Sequence, residues 1–165
     1  MELYLLRHAI AEERSETGRD ADRKLTAEGF DKLRVVAKFA AASGLRPSLI
    51  LSSPYVRAME TAAAAARVLE SKAQILQTNR LVPGASPADV WAEVRAHRHE
   101  ESILLVGHEP LFSALASWML GSARPMVDFR KAALVRIDFE SLGAEPRGVL
   151  RWMITPKLAA AARGE

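Results

Sequence analysis

Short apolar runs, closed by polar or charged residues and separated by segments of helical spacing, constrain this chain more than any other feature. Leu3–Leu6 runs into Arg7-His8, Leu49–Leu51 into Ser52-Ser53, and Ile103–Val106 into Gly107-His108, with a weaker run at 73–76. Uninterrupted runs of this length read as strands covered on both faces, which is how parallel sheets are built.

Helical segments lie between them. Thr26 is placed to cap a helix with apolar positions Phe30, Leu33, Val36, Ala37 and Ala40, stopped by Gly44 and Pro47. Pro54 precedes an alanine-rich helix over 56–70, which puts Arg57 in its first turn. Ser86, Pro87 and Asp89 open a third helix to about Arg98, with Asp89 a shorter stand-in for a capping-box glutamate. Pro110 begins a fourth, running to about Leu120 and closed by Gly121. The charged stretch 11–24 has no apolar period and is expected to be a surface loop.

Residues 132–139 and 149–154 alternate in part around Gly143, Pro146 and Gly148, the pattern of a hairpin-like pair at a sheet edge. The alanines at 159–162 are expected to form a frayed tail. Together these segments predict the α/β class: a three-layer α/β/α sandwich around a mainly parallel sheet with an antiparallel edge element. With 165 residues, 49% of them hydrophobic, a single domain over 1–165 can bury its own core.

Composition removes several function classes. There is no cysteine, hence no disulfide, thiolate nucleophile or cysteine metal site. The 23 basic residues are scattered among 20 acidic ones without a Lys/Arg block, so a nucleic-acid partner is not expected. No apolar stretch is long enough to span a bilayer, and Met1-Glu2-Leu3-Tyr4 lacks the basic start of a signal peptide; a cytoplasmic protein without a membrane partner is the expectation. His97 and His99 sit in a charged segment that reads as a solvated helix end, so no metal and no cofactor are expected.

Ligands of open α/β sheets bind beyond the carboxyl ends of the strands. That rule gathers Arg7 and His8, Ser52-Ser53-Pro54 with Arg57, and Gly107-His108-Glu109 at one edge. Guanidinium forks match phosphoryl oxygens bidentately, and a helix N-terminus adds backbone donors. A neutral imidazole can attack phosphorus and divide hydrolysis into two displacements. Neighbouring guanidinium groups would keep His8 neutral, while the second histidine could be cationic and hold a phosphoryl oxygen. Ser52 and Ser53 are expected to cap the helix after them, because no nucleophile elbow surrounds them.

Leu6-Arg7-His8-Ala9, Ser52-Ser53-Pro54-x-x-Arg57-Ala58-x-x-Thr61, Val106-Gly107-His108-Glu109-Pro110 and Asp22-Arg23-x-Leu25-Thr26-x-x-Gly29 resemble, in this order, the histidine phosphatase superfamily, and within it the SixA-type phosphohistidine phosphatases. The resemblance implies a phosphoglycerate mutase-like fold, His8 as nucleophile, Arg7 and Arg57 as clamps on the phosphoryl group, and His108 in contact with it. Arg23 is implied as an extra phosphate ligand from the first loop.

One part of the family pattern is missing. Many members carry a glutamate general acid after the third strand, where this chain reads Thr78-Asn79-Arg80-Leu81-Val82-Pro83-Gly84. Asp89, Glu13 and Glu109 are the candidate substitutes. A phosphomonoester leaves as an alkoxide that needs a proton, whereas imidazole leaves phosphorus with little help, so the absence favours a P–N substrate. The helix after the second strand also runs into the third without the long insertion that covers the pocket of small-molecule mutases. The expectation is a metal-independent phosphatase acting on a phosphohistidine-bearing protein of the phosphorelay or phosphotransferase type. The alternatives are a phosphatase or mutase for a small phosphate ester and an inactive module that binds phosphorylated ligands.

Overall fold

In the computed structural model, which describes residues 1–162, the apolar runs become β1 (Glu2–Arg7), β2 (Leu49–Ser52), β3 (Gln74–Gln77) and β4 (Ser102–Gly107). β5 (Leu134–Asp138) and β6 (Val149–Ile154) complete one sheet in the order β3-β2-β4-β1-β5-β6. The first four strands are mutually parallel; β5 runs antiparallel to β1, and β6 antiparallel to β5. The antiparallel element predicted for the edge is therefore a pair, with β5 inside the sheet. The last three residues of the expected 1–165 domain lie outside the described residues.

Period-two alternation divides the strands between two helical layers. Leu3, Leu5, Ile103 and Leu105 face one core with α3 (Pro87–Ala96) and α4 (Leu111–Met119). Tyr4, Leu6, Leu104 and Val106 face the other, with α1 (Ala27–Ala42) and α2 (Val56–Val68). All eight are 2% exposed or less, and each buried side chain of this size stabilises the fold by about 1.5–3 kcal/mol. This is the α/β/α sandwich that the sequence predicts.

The caps explain where helices begin. Thr26 accepts from the Gly29 N–H at 3.0 Å, and Ser86 accepts from the Asp89 N–H at 3.2 Å. α3 stops at Ala96, before the expected Arg98. The predicted frayed tail is a helix, α5 (Pro156–Ala161), because Thr155 caps it through the Leu158 N–H and buried Ala159 anchors it on the α1 layer. The first loop is also more ordered than expected. Ala11 bridges Leu25, both buried, and Asp20–Asp22 form a single 3₁₀ turn against α2.

Gly29 fixes where that loop joins α1. A Cβ there would stand 2.2 Å from the Ile10 carbonyl oxygen, so only glycine allows the approach.

Candidate active site

Three strand ends converge, as the sheet rule requires. His8 follows β1, its N–H bonded to the Gly107 carbonyl at 2.9 Å, and His108 follows β4 beside it. Their rings lie 5.0 Å apart between centroids. From the first turn of α2, Arg57 donates through Nε to His8 Nε2 at 3.4 Å. His8, Arg57 and His108 are each at most 7% exposed, a costly burial for such groups without a task.

The hydrogen bonds of His8 determine its tautomer. Nδ1 lies 2.8 Å from the Ala9 carbonyl, which can only accept, so Nδ1 carries the proton. In the neutral ring the lone pair is then on Nε2, the atom facing Arg57. Burial is the main cause that pushes the His8 pKa down to about 4; the Ala9 bond opposes it, and the Arg57 and Arg7 charges add to it. The expected guanidinium effect is thus present but secondary.

Burial likewise lowers His108 to about 3, aided by His8 and Arg57. Burial thus favours neutral rings in the free site, and a cationic His108 is an expectation for the site holding a phosphoryl anion, whose charge would raise its pKa. His108 Nε2 lies 2.8 Å from Ser53 Oγ, which accepts from the Tyr55 N–H at 3.3 Å. Ser53 thus positions His108 and does not cap α2, whose N-cap is Tyr55, and Ser52 turns its hydroxyl to the Ser53 carbonyl.

Two further parts of the motif find a physical reason. Thr61, one turn after Arg57, donates to the Arg57 carbonyl at 2.7 Å and accepts from the Ala9 N–H at 3.1 Å, pinning the nucleophile segment to α2. Gly107 lets Phe112 approach, since a Cβ there would meet the ring at 2.8 Å.

Arg7 donates through Nη1 to the Phe129 carbonyl at 2.6 Å, and burial lowers its pKa. Its Nε and His108 Nδ1 are buried with no partner among the described residues. Arg7 Nε is an orphaned donor that an anion would satisfy, and His108 Nδ1 is a second one in the tautomer whose Nε2 accepts from the Ser53 hydroxyl.

Arg23 is tied back instead of standing free. It donates through Nε to the Glu12 carbonyl at 2.5 Å and through Nη1 to Asp20 at 2.8 Å. Asp20 in turn takes both ends of Arg57, its carbonyl 2.7 Å from Nη1 and its carboxylate 2.9 Å from Nη2. Sequence reasoning missed both Asp20 and Tyr55. The Tyr55 ring lies 5.1 Å from that of His108 and 5.0 Å from the Arg57 guanidinium.

The candidate acids are otherwise engaged. Glu109 accepts from the Ser113 N–H and hydroxyl at the start of α4, Asp89 accepts from the Ser86 hydroxyl, and Glu13 is exposed. Among the described residues no cluster of three or more His, Asp or Glu could hold a metal ion. Among them too, no helix is long and apolar enough to cross a membrane.

The model of the histidine phosphatase superfamily (branch 1) matches residues 3–82. An uncharacterized protein of Picosynechococcus is 33% identical over 139 residues, 82% of this chain and 83% of the relative. The phosphohistidine phosphatase SixA of Escherichia coli is 27% identical over 161 residues, covering 94% of each chain. A solved structure of the protein histidine phosphatase SixA with tungstate superposes with a TM-score of 0.84, at 24% identity, over 95% of this chain and 98% of that one.

Proposed function

The chain belongs to the histidine phosphatase superfamily, and from that premise we propose that it hydrolyses phosphohistidine on a protein through a covalent phospho-His8 intermediate. One observation carries the reading: His8 is neutral, with its proton held on Nδ1 by the Ala9 carbonyl and its lone pair on Nε2 among buried cationic and neutral donors.

Nε2 attacks phosphorus, and the electron pair of the breaking bond leaves with the substrate imidazole. Arg7 and Arg57 bind the equatorial oxygens, and His108 donates a further hydrogen bond. Because this group transfer demands positioning and charge neutralisation above all, a rigid cluster of donors suffices. Water then attacks phospho-His8. In that species Nδ1 still carries its proton, so His8 departs as a neutral imidazole and returns to its resting tautomer. Arg23 contributes by holding Asp20 and the first loop, and no step calls for a metal ion.

The absence of a carboxylate in 78–84 supports the P–N substrate, as does the similarity to a phosphohistidine phosphatase. The connection 69–73 enters β3 at its amino end, beside Leu49 and away from the site; at the carboxyl end β3 passes to α3 through 78–86 with no long insertion, which suits a side chain presented by a protein surface. The test is a side-by-side turnover of a phosphohistidine peptide, phosphoramidate and sugar phosphates in the presence of a chelator. Phosphohistidine is expected to win, with acid-labile phosphate trapped on the wild-type protein. Preference for an ester would make the chain a small-molecule phosphatase; binding without turnover would make it a recognition module.

A further inference from the structure

The missing general acid leaves a question of proton supply that Asp20 answers. It is an ionised carboxylate at the site: hydrogen bonds from Arg23 and Arg57 hold its pKa below the usual carboxylate range. Such a group is a poor proton donor and a good acceptor. It stands one guanidinium beyond the nucleophile, since Arg57 touches His8 through Nε and Asp20 through Nη2. Its side chain is 56% exposed while that of Arg57 is 5% exposed, so Asp20 lies on the solvent side of the clamp, where a leaving group departs.

Resting on the phosphohistidine reading, we propose that Asp20 accepts a hydrogen bond from the distal ring N–H of the substrate's phosphohistidine and so selects its imidazolium form. In that form the ring carries phosphorus on one nitrogen and hydrogen on the other. His8 Nε2 forms the new P–N bond, the old P–N bond breaks, and its electron pair returns to the substrate nitrogen. The ring leaves as neutral imidazole with its distal proton in place, and no proton crosses to the leaving nitrogen. The substrate brings the proton, and Asp20 keeps it there.

The arrangement repeats on the enzyme's own side. His8 Nδ1–H is held by the Ala9 carbonyl, which makes phospho-His8 an imidazolium ready to leave in the second step. Asp20 need not abandon the arginines, because two carboxylate oxygens offer about four acceptor positions and the arginines occupy one on each oxygen.

Asp20→Asn, checked for unchanged melting temperature, is to be compared with wild type on a phosphohistidine peptide and on p-nitrophenyl phosphate, whose leaving group is stable without a proton. Loss of a charge-assisted hydrogen bond predicts a fall of roughly 10- to 100-fold in kcat on phosphohistidine. The loss on the ester should be several-fold smaller, reflecting only a slacker Arg57. The groups facing Asp20 are the guanidinium groups of Arg57 from α2 and Arg23 from its own loop, with His108 after β4 close enough to feel its charge and kept neutral by burial. The alkaline limb of kcat on phosphohistidine therefore follows the substrate ring, and it should move to lower pH in Asp20→Asn. Asp20→Glu should recover part of the preference. Equal losses on both substrates, or an unmoved limb, would overturn the assignment and leave the phospho-His8 pathway standing. A wild-type protein inactive on phosphohistidine would overturn both.

Discussion

Two charged clusters sit at opposite ends of β1, and they are built on opposite principles. At the amino end, Arg136 donates to Glu2 at 2.6 Å and to Asp138 at 2.8 Å, Arg151 reaches Asp138 at 2.8 Å, and Tyr4 donates to Glu2 at 2.7 Å. Each charge there has its partner. At the carboxyl end, Arg7 has a carbonyl but no ion pair among the described residues, both histidines are held neutral, and Arg57 relies on the exposed Asp20. A satisfied cluster is structure; a buried one left short of acceptors is a site.

The sharpest way to break this contrast is to remove His8. His8→Ala is expected to lower kcat on a phosphohistidine peptide by about 10⁴-fold or more, because the remaining donors lack an atom to accept phosphorus. No acid-labile phosphate should then be trapped on the protein. Its melting temperature should stay close to wild type, since a desolvated ring is lost together with its contacts. Near-full activity would mean that the unsatisfied end of β1 is not the site.

Arg57→Lys comes next, with an expected loss of about 10²- to 10³-fold in kcat/KM. Arg57 serves His8, the Asp20 carbonyl and the Asp20 carboxylate from one rigid fork, and an ammonium cannot hold all three geometries. A loss confined to KM, with kcat intact, would show that Arg57 binds substrate without favouring the transition state.

Much of this contrast could be read in the sequence, and the rest has a physical reason for being hidden. The strand ends at Arg7-His8 and Gly107-His108, and the caps at Thr26 and Ser86, are local signals set by period-two burial and short-range hydrogen bonds. The partners that tune the site are distant: Asp20 is 37 residues from Arg57, Ser53 is 55 from His108, and Phe129 is 122 from Arg7. No periodicity encodes such pairings. The lowered pKa of His108 in the free site is hidden for the same reason, since burial by residues distant in sequence sets it. The alanines at 159–162, expected to fray, lie largely in α5 because the cap at Thr155 becomes effective only once Ala159 has a core to enter.

A titration sharpens the comparison with a smaller effect. The His8 pKa is lowered from 6.5 to about 4 and that of His108 to about 3. Between these values and 6.5 the unfolded chain binds protons that the native site refuses, so stability is lost as pH falls below about 6.5 and is flat above it as far as these groups are concerned. The denaturant midpoint should therefore decline well above the range where carboxylates titrate, and His8→Ala should remove part of that slope. A midpoint independent of pH from 7 to 5 would show that the native rings take up protons as readily as the unfolded chain does. Over the same range kcat/KM on p-nitrophenyl phosphate should show no acid limb near 6.5.

The smallest effect belongs to the satisfied cluster. Asp138→Asn weakens both its ion pairs, with Arg136 and Arg151, on side chains that are 22% and 55% exposed. Pairs in this setting are worth about 0.2–1 kcal/mol each, so equilibrium unfolding should show a loss of about 1 kcal/mol. The loss should shrink as salt is raised, because exposed charges are screened within about a Debye length. Turnover should not change, since β1 separates Glu2 and its partners from His8 by its whole length. A fall in kcat without a fall in stability would contradict the division of the two ends. It would mean that the ionic network sets the position of the nucleophile along β1 instead of fastening the edge of the sheet.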